Sequence, residues 1–171
     1  MPIKLMIWDF DGVLAPTDED WAAKGYPLTD GVREVLALPN LRHCVATNGT
    51  LEQTLHKIKL CGLDDVFNAQ NVFTIDMAGA GKGAPDIFLL ALAKMNEKPE
   101  NTAVVDNSYT AMKGVLKAGC LPIAFLSRAR YDDSDWPQRL KNIGVEHICC
   151  EMSAVKKLIE DINRDFFIVC G

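Results

Sequence analysis

The 171-residue sequence has no run of the roughly 20 apolar residues that a membrane-spanning helix needs. Its amino terminus, Met1 to Trp8, runs straight into acidic residues and lacks the small-residue cleavage site of a signal peptide. Basic charge is not in excess. With 18 lysines and arginines against 23 aspartates and glutamates the formal net charge is -5, so the chain offers no field for nucleic acid and repels phosphorylated ligands at long range. Any phosphate site must then be built from local donors and a cation. Paired cysteines are missing as well: Cys44, Cys61, Cys120, Cys149, Cys150 and Cys170 are scattered, mostly inside apolar runs, with no CxxC pair or Cys/His array of zinc-like spacing. They read as reduced core thiols. Repeats, linkers and low-complexity tracts are also absent. These absences exclude a membrane protein and a disulfide scaffold, and they point to a soluble protein of the cytosol with no membrane partner, for which nucleic acid is disfavoured as a main partner without being excluded.

What the sequence does hold is an alternation of short apolar runs with longer stretches of helical period, over a length that suits one domain, residues 1–171. The expected strands are Ile3–Trp8, His43–Thr47, Val72–Ile75, Thr102–Asp106, Leu121–Phe125 and His147–Cys150. Most are continuously apolar, as strands buried on both faces should be. Helices are expected at Asp30–Leu38, Leu51–Leu60, Pro85–Met95, Tyr109–Lys117, Trp136–Ile143 and Ser153–Asn163. Thr29, Thr50 and Ser153 are placed to cap the first, second and last; Pro85 suits a first turn, and Gly62, Gly119 and Gly144 suit helix stops. The fold class is therefore α/β, a doubly wound parallel sheet with helices on both faces. Phe166 to Gly171 receive no place.

In such sheets ligands bind beyond the carboxyl ends of the strands, and four of these exits carry chemistry. The first strand ends in Asp9-Phe10-Asp11-Gly12, the second in Thr47-Asn48-Gly49-Thr50 and the fourth in Asp106-Asn107-Ser108, while Gly81-Lys82-Gly83-Ala84-Pro85 follows the third. Each has a plain alternative taken alone: a strand-end Asp forms turns, Thr47-Asn48-Gly49 reads as a turn with a helix cap, Lys82 as a solvated side chain and Asp106 as a cap. Taken in order they supply every part of a phosphoryl transfer. Asp9 can attack phosphorus, since the resulting acyl phosphate is readily hydrolysed, and Asp11 can serve as general acid and base. Asp9 and Asp106 are hard oxygen donors suited to Mg²⁺. Lys82 offsets carboxylate repulsion, and the Thr47 hydroxyl can grip a phosphate oxygen.

Met6-Ile7-Trp8-Asp9-Phe10-Asp11-Gly12-Val13-Leu14 resembles the first motif of the haloacid dehalogenase-like superfamily, an apolar strand followed by DxDGxx. Thr47 with Asn48 after it is similar to the second motif, Lys82 in Gly81-Lys82-Gly83-Ala84-Pro85 to the third, and Asp106 after Val104-Val105 to the fourth. The resemblance spans Ile3 to about Ile162. It implies Asp9 as nucleophile, Asp11 as acid/base, and Thr47, Asn48 and Lys82 on the phosphoryl group. For Mg²⁺ it implies Asp9, the Asp11 carbonyl and Asp106, with Asn107 as a helper. Asp two positions after the nucleophile sorts the chain with phosphatases and phosphomutases, against dehalogenases and transport ATPases.

Two features depart from the family pattern. The fourth motif has no second acid, since Val105 and Asn107 flank Asp106 and Tyr109, Thr110 and Ala111 stand further on. Nor is there room for a cap domain, because only Ala15 to Leu28 separate the first motif from the next helix. Capless relatives act on large substrates that cover the site or use a neighbouring subunit of a homo-oligomer as lid. The expected function is Mg²⁺-dependent hydrolysis of a phosphomonoester, on a phosphorylated small molecule or macromolecule. A binding or regulatory module with weak turnover is the alternative; a phospho-accepting receiver domain fits less well, since its accepting Asp ends the third strand. Trp21, Tyr26, Arg128 and Arg130 are expected to pack or pair locally, the arginines with Asp132, Asp133 or Asp135.

Overall fold

Buried apolar runs pair in parallel to form one sheet: β1 (Leu5–Trp8), β2 (Arg42–Thr47), β3 (Val72–Thr74), β4 (Thr102–Asp106), β5 (Leu121–Phe125) and β6 (His147–Cys149). These strands come from a computed structural model that describes residues 1–126 and 135–170. Their spatial order is β3-β2-β1-β4-β5-β6. The chain thus winds outward from β1 to β3, returns to the other side of β1, and winds outward again. Where the direction reverses, between β1 and β4, the connections leave in opposite directions and open a crevice at the carboxyl ends of the strands. Trp8 pairs with Val45 on one side and Val105 on the other, so the residues that follow, Asp9 and Asp106, stand level at that crevice.

Alternation along the strands sends side chains to two cores. Met6, Trp8, Val45 and Val105 pack on one face with Ile58 of α2 (Leu51–Leu60) and with Val155 and Ile159 of α7 (Met152–Cys170). Leu5, Ile7, Cys44 and Val104 pack on the other with Ile87 and Phe88 of α4 (Asp86–Met95) and Met112 and Val115 of α5 (Tyr109–Ala118). Each fully buried Leu, Ile, Phe or Met contributes about 1.5–3 kcal/mol. The remaining helices are α1 (Val32–Leu36), α3 (Ile75–Ala78) and α6 (Trp136–Asn142). The doubly wound expectation holds, and among the described residues no cap domain interrupts the sheet.

Thr50 caps α2 as expected, accepting from the Gln53 N–H at 3.2 Å, and Gly119 ends α5 at φ 77°. Other details differ. Thr29 does not cap α1: the chain turns at Gly31, in the left-handed region at φ 85°, and that glycine takes the cap position with no side-chain acceptor. Ser153 lies within the first turn of α7, where the Glu151 carbonyl accepts from Ala154. Ile75 leaves the sheet to open the one-turn helix α3. Phe166 and the residues after it, as far as Cys170, continue α7. Cys44, Cys120 and Cys149 are buried free thiols, but Cys61 and Cys150 are only half-buried. The basic and acidic stretch with Arg128, Arg130, Asp132 and Asp133 lies outside the described residues. Among the described residues no helix is long and apolar enough to cross a membrane.

His43 is the one histidine sealed into the sheet. It is buried at the start of β2 and its Nδ1 accepts from Trp8 Nε1 at 3.2 Å. Burial pulls its pKa down to about 4, and the Leu36 backbone, acting the other way, does not offset that. The native protein keeps this ring neutral while the unfolded chain protonates it near 6.5. The stabilisation is therefore complete above about pH 6.5 and is lost as pH falls towards 4, a swing of about 3 kcal/mol. His43→Gln should flatten the decline of urea-denaturation stability over this window relative to wild type; parallel pH profiles for the two proteins would contradict the assignment.

Candidate active site

Strand parity aims Asp9 and Asp106 at the same face of the sheet, the side of Ile7 and Val104, where the loop before α4 crosses. That loop brings Lys82 between them. Lys82 Nζ lies 2.5 Å from Asp9 Oδ1 and 2.9 Å from Asp106 Oδ2, with its side chain only 5% exposed and that of Asp106 1%. Asp106 is held further by the Ser108 N–H, which donates to Oδ1 at 2.8 Å. One ammonium between two buried carboxylates leaves a negative charge without compensation. Burial accordingly pushes the Asp9 carboxyl up to about 7, with Asp106 adding to the push and Lys82 resisting it. Burial opposes the charge on Lys82 too, but the attraction of Asp106 and Asp9 prevails and its pKa is raised.

The loop after β1 is wound tightly, with the N–H groups of Val13, Leu14 and Ala15 all donating to the Phe10 carbonyl. Gly12 makes this turn possible at φ 80°, and a Cβ there would collide with the Asn107 side chain. Asn107 Nδ2 donates to the Asp11 carbonyl at 3.1 Å, tying the first strand exit to the fourth. A carbonyl oxygen has a second lone pair, so the Asp11 oxygen retains capacity for a further partner. Thr47 is buried at the end of β2, its Oγ1 accepting from the Gly49 N–H at 3.1 Å. Asn48 sits exposed on the turn that follows.

The Asp11 carboxylate does not join Asp9. Its side chain is 44% exposed and pairs with Lys57 Nζ at 2.7 Å. Sequence reading missed Lys57. The available signal was its place on α2 three residues after Thr54, a buried polar residue on the same helical face. Asp9, Asp106 and Lys82 thus form one buried cluster and Asp11 and Lys57 a half-exposed pair at its mouth, with Thr47 on the neighbouring strand. The flap between residues 15 and 28 is pinned by Trp21, whose ring packs edge-on against Phe10 and Tyr26 and whose Nε1 donates to the Pro27 carbonyl at 2.8 Å. Among the described residues no group of three or more His, Cys, Asp or Glu converges as a metal cage.

Comparison with known proteins identifies the family. The family model for haloacid dehalogenase-like hydrolases matches residues 17–119, a stretch that includes Thr47, Lys82 and Asp106. The chain belongs to the haloacid dehalogenase-like hydrolases. No curated protein sequence matches it. Among solved structures, a conserved haloacid dehalogenase-like protein of unknown function from Agrobacterium tumefaciens is similar with TM-score 0.76 and 19% identity, over 93% of this chain and 98% of that one. A family hydrolase from Deinococcus radiodurans, with bound phosphate and sodium, has TM-score 0.74 and 13% identity over 94% and 96%. L-2-haloacid dehalogenase from Xanthobacter autotrophicus has TM-score 0.71 and 13% identity over 94% and 99%. At these identities the likeness is one of fold.

The placing of Lys82 in this hydrolase depends on Gly114 in the middle of α5. A Cβ at Gly114 would run into the carbonyl oxygen of Lys82 and lie 2.6 Å from that of Ala84, so only a bare backbone lets the loop settle against the helix. Glycine costs a helix interior about 0.5–1 kcal/mol relative to alanine, and Gly114→Ala would favour an isolated helix. In this fold it should instead destabilise by about 1–3 kcal/mol, the usual cost of overpacking, in urea denaturation. A stabilised variant would show that the loop does not rest on α5.

Proposed function

We propose that this hydrolase cleaves phosphomonoesters through a phosphorylated Asp9, with Asp11 as proton donor and acceptor. The observation that carries this reading is the buried pair of carboxylates bridged by Lys82 at the sheet's reversal point, with a second carboxylate, Asp11, two residues beyond Asp9. The Asp9 oxygen forms a bond to phosphorus as the bond to the leaving oxygen breaks, and the Asp11 proton goes to that oxygen. Water then attacks the aspartyl phosphate, gives its proton to Asp11, and releases inorganic phosphate and free Asp9. Thr47, Asn48 and Lys82 bind and orient the phosphoryl oxygens.

The hydrolase's relatives include a dehalogenase, and Asp11 favours the phosphoester alternative. A halide departs as a stable anion and needs no proton, whereas an alkoxide leaving group does. The phosphate bound to the Deinococcus radiodurans relative points the same way. A divalent cation suits the donor set: Asp9, Asp106 and the Asp11 carbonyl are hard oxygen ligands, and the uncompensated negative charge of the buried cluster is what such a cation would neutralise. Mg²⁺ held there would supply charge neutralisation for the phosphoryl oxygens. With a flap in place of a cap the cleft stays open to water, which favours hydrolysis over transfer to a retained acceptor.

Hydrolysis of 4-nitrophenyl phosphate should require Mg²⁺ and be abolished by EDTA. Asp9→Asn should lower kcat by at least about 10³-fold while the variant unfolds with ordinary cooperativity. Full activity in Asp9→Asn would overturn the nucleophile, and absence of turnover by folded wild-type protein across pH 5 to 9 would favour a binding module on the same fold.

A further inference from the structure

We propose that Lys57 is the residue that selects the leaving group, taking phosphomonoesters whose alcohol carries a second anionic group, a carboxylate or another phosphate; this rests on the phosphatase reading above. Three observations lead there. Lys57 reaches the mouth of the site from α2 and engages Asp11 Oδ1 at 2.7 Å, with its ammonium 5.9 Å from the centre of the Phe10 ring. Its side chain is 34% exposed and that of Asp11 44%, so the pair is open to solvent and held weakly, unlike the sealed contacts of Lys82. An ammonium offers donors only, so the Asp11 oxygen it engages cannot at the same time pass a proton to a leaving group.

These facts fit an exchange of partners. An incoming anionic substituent draws the Lys57 ammonium away from Asp11, and the released carboxyl oxygen becomes available to carry the proton that goes to the leaving oxygen as the Asp9–phosphorus bond forms. A substrate without that substituent leaves the pair closed. Trp21 is turned into its own packing, and Lys24 on the flap is committed to Asp18 at 2.9 Å, with Asp20 at 4.0 Å. Among the described residues no cap domain covers the site, and Lys57 is the cation on the core's own surface beside the acid.

The test compares ethyl phosphate, carboxymethyl phosphate and ethylene glycol bisphosphate with wild type, Lys57→Ala and Lys57→Arg. Wild type should favour the two anionic esters in kcat/KM by about tenfold or more, the scale of a hydrogen bond to a charged group. The ratio should fall towards unity in Lys57→Ala, through a higher KM for the anionic esters and a higher kcat for ethyl phosphate, whose acid Lys57 no longer holds, and be largely kept in Lys57→Arg; the stronger of the two arms identifies the anion. Using the ratio removes whatever the substitution does to all esters alike. A ratio unchanged in Lys57→Ala overturns the assignment. If wild type turns over none of the three esters, the phosphatase reading fails on its own, and calorimetric titration of the same esters still decides Lys57: tighter binding of the anionic esters, lost in Lys57→Ala, supports the site, and equal binding of all three refutes it.

Discussion

The contact on which the rest of the structure depends is the Lys82 ammonium between Asp9 and Asp106. Two carboxylates sealed at the ends of adjacent strands repel one another and have lost their hydration, which is tolerable only with a cation between them. The fold spends several features on delivering that cation. The Gly-rich loop before α4 must lie flat against α5, where Gly114 has no side chain to obstruct the Lys82 and Ala84 carbonyls. The strand order must place β4 beside β1 although β2, β3 and four α-helices intervene in sequence. Gly12 and Asn107 then lock the two strand exits to one another. A cluster of this kind contributes little to stability by comparison with a well-packed apolar core, so its presence is better explained by chemistry than by folding.

That chemistry follows from charge. Burial, with one positive charge set against two negative ones, pushes the Asp9 carboxyl up to about 7, and this is the imbalance that the proposed cation and phosphoester would meet. The net acidity of the chain sets no field that would gather phosphate from a distance, so the proposed capture of a phosphoester rests on the cleft. Around the buried cluster the site grows steadily more exposed: Thr47 is buried, the Asp11 carboxylate and Lys57 are half-exposed, and Asn48 faces solvent. The gradient separates the centre proposed to react with phosphorus from the rim proposed to meet the rest of the substrate.

Much of this was legible in the sequence because the relevant signals are local. Continuously apolar strands announce a sheet covered on both faces, and residues at strand ends are brought together by any doubly wound order, so Asp9, Asp106 and Lys82 could be grouped without coordinates. Thr50 was readable as a cap because capping is settled within four residues. What was not legible depends on contacts between distant segments. Thr29 lost the cap of α1 to Gly31 because the left-handed turn there, packed against Met152, decides where the helix can start. Gly114 looked like an ordinary helix interior, and its value appears only when the Lys82 loop is laid on it. Lys57 is one of many surface lysines until α2 is placed beside β1, at which point 46 residues of separation collapse to an ion pair.

The central claim is that Asp9 forms a covalent bond to phosphorus. The most direct test is acid quenching of the protein during turnover of a phosphate ester with Mg²⁺, followed by peptide mass spectrometry. The account predicts one phosphoryl group on the peptide bearing Asp9, absent in Asp9→Asn. Steady turnover with no phosphorylated aspartate, or with the group on a different residue, would contradict it.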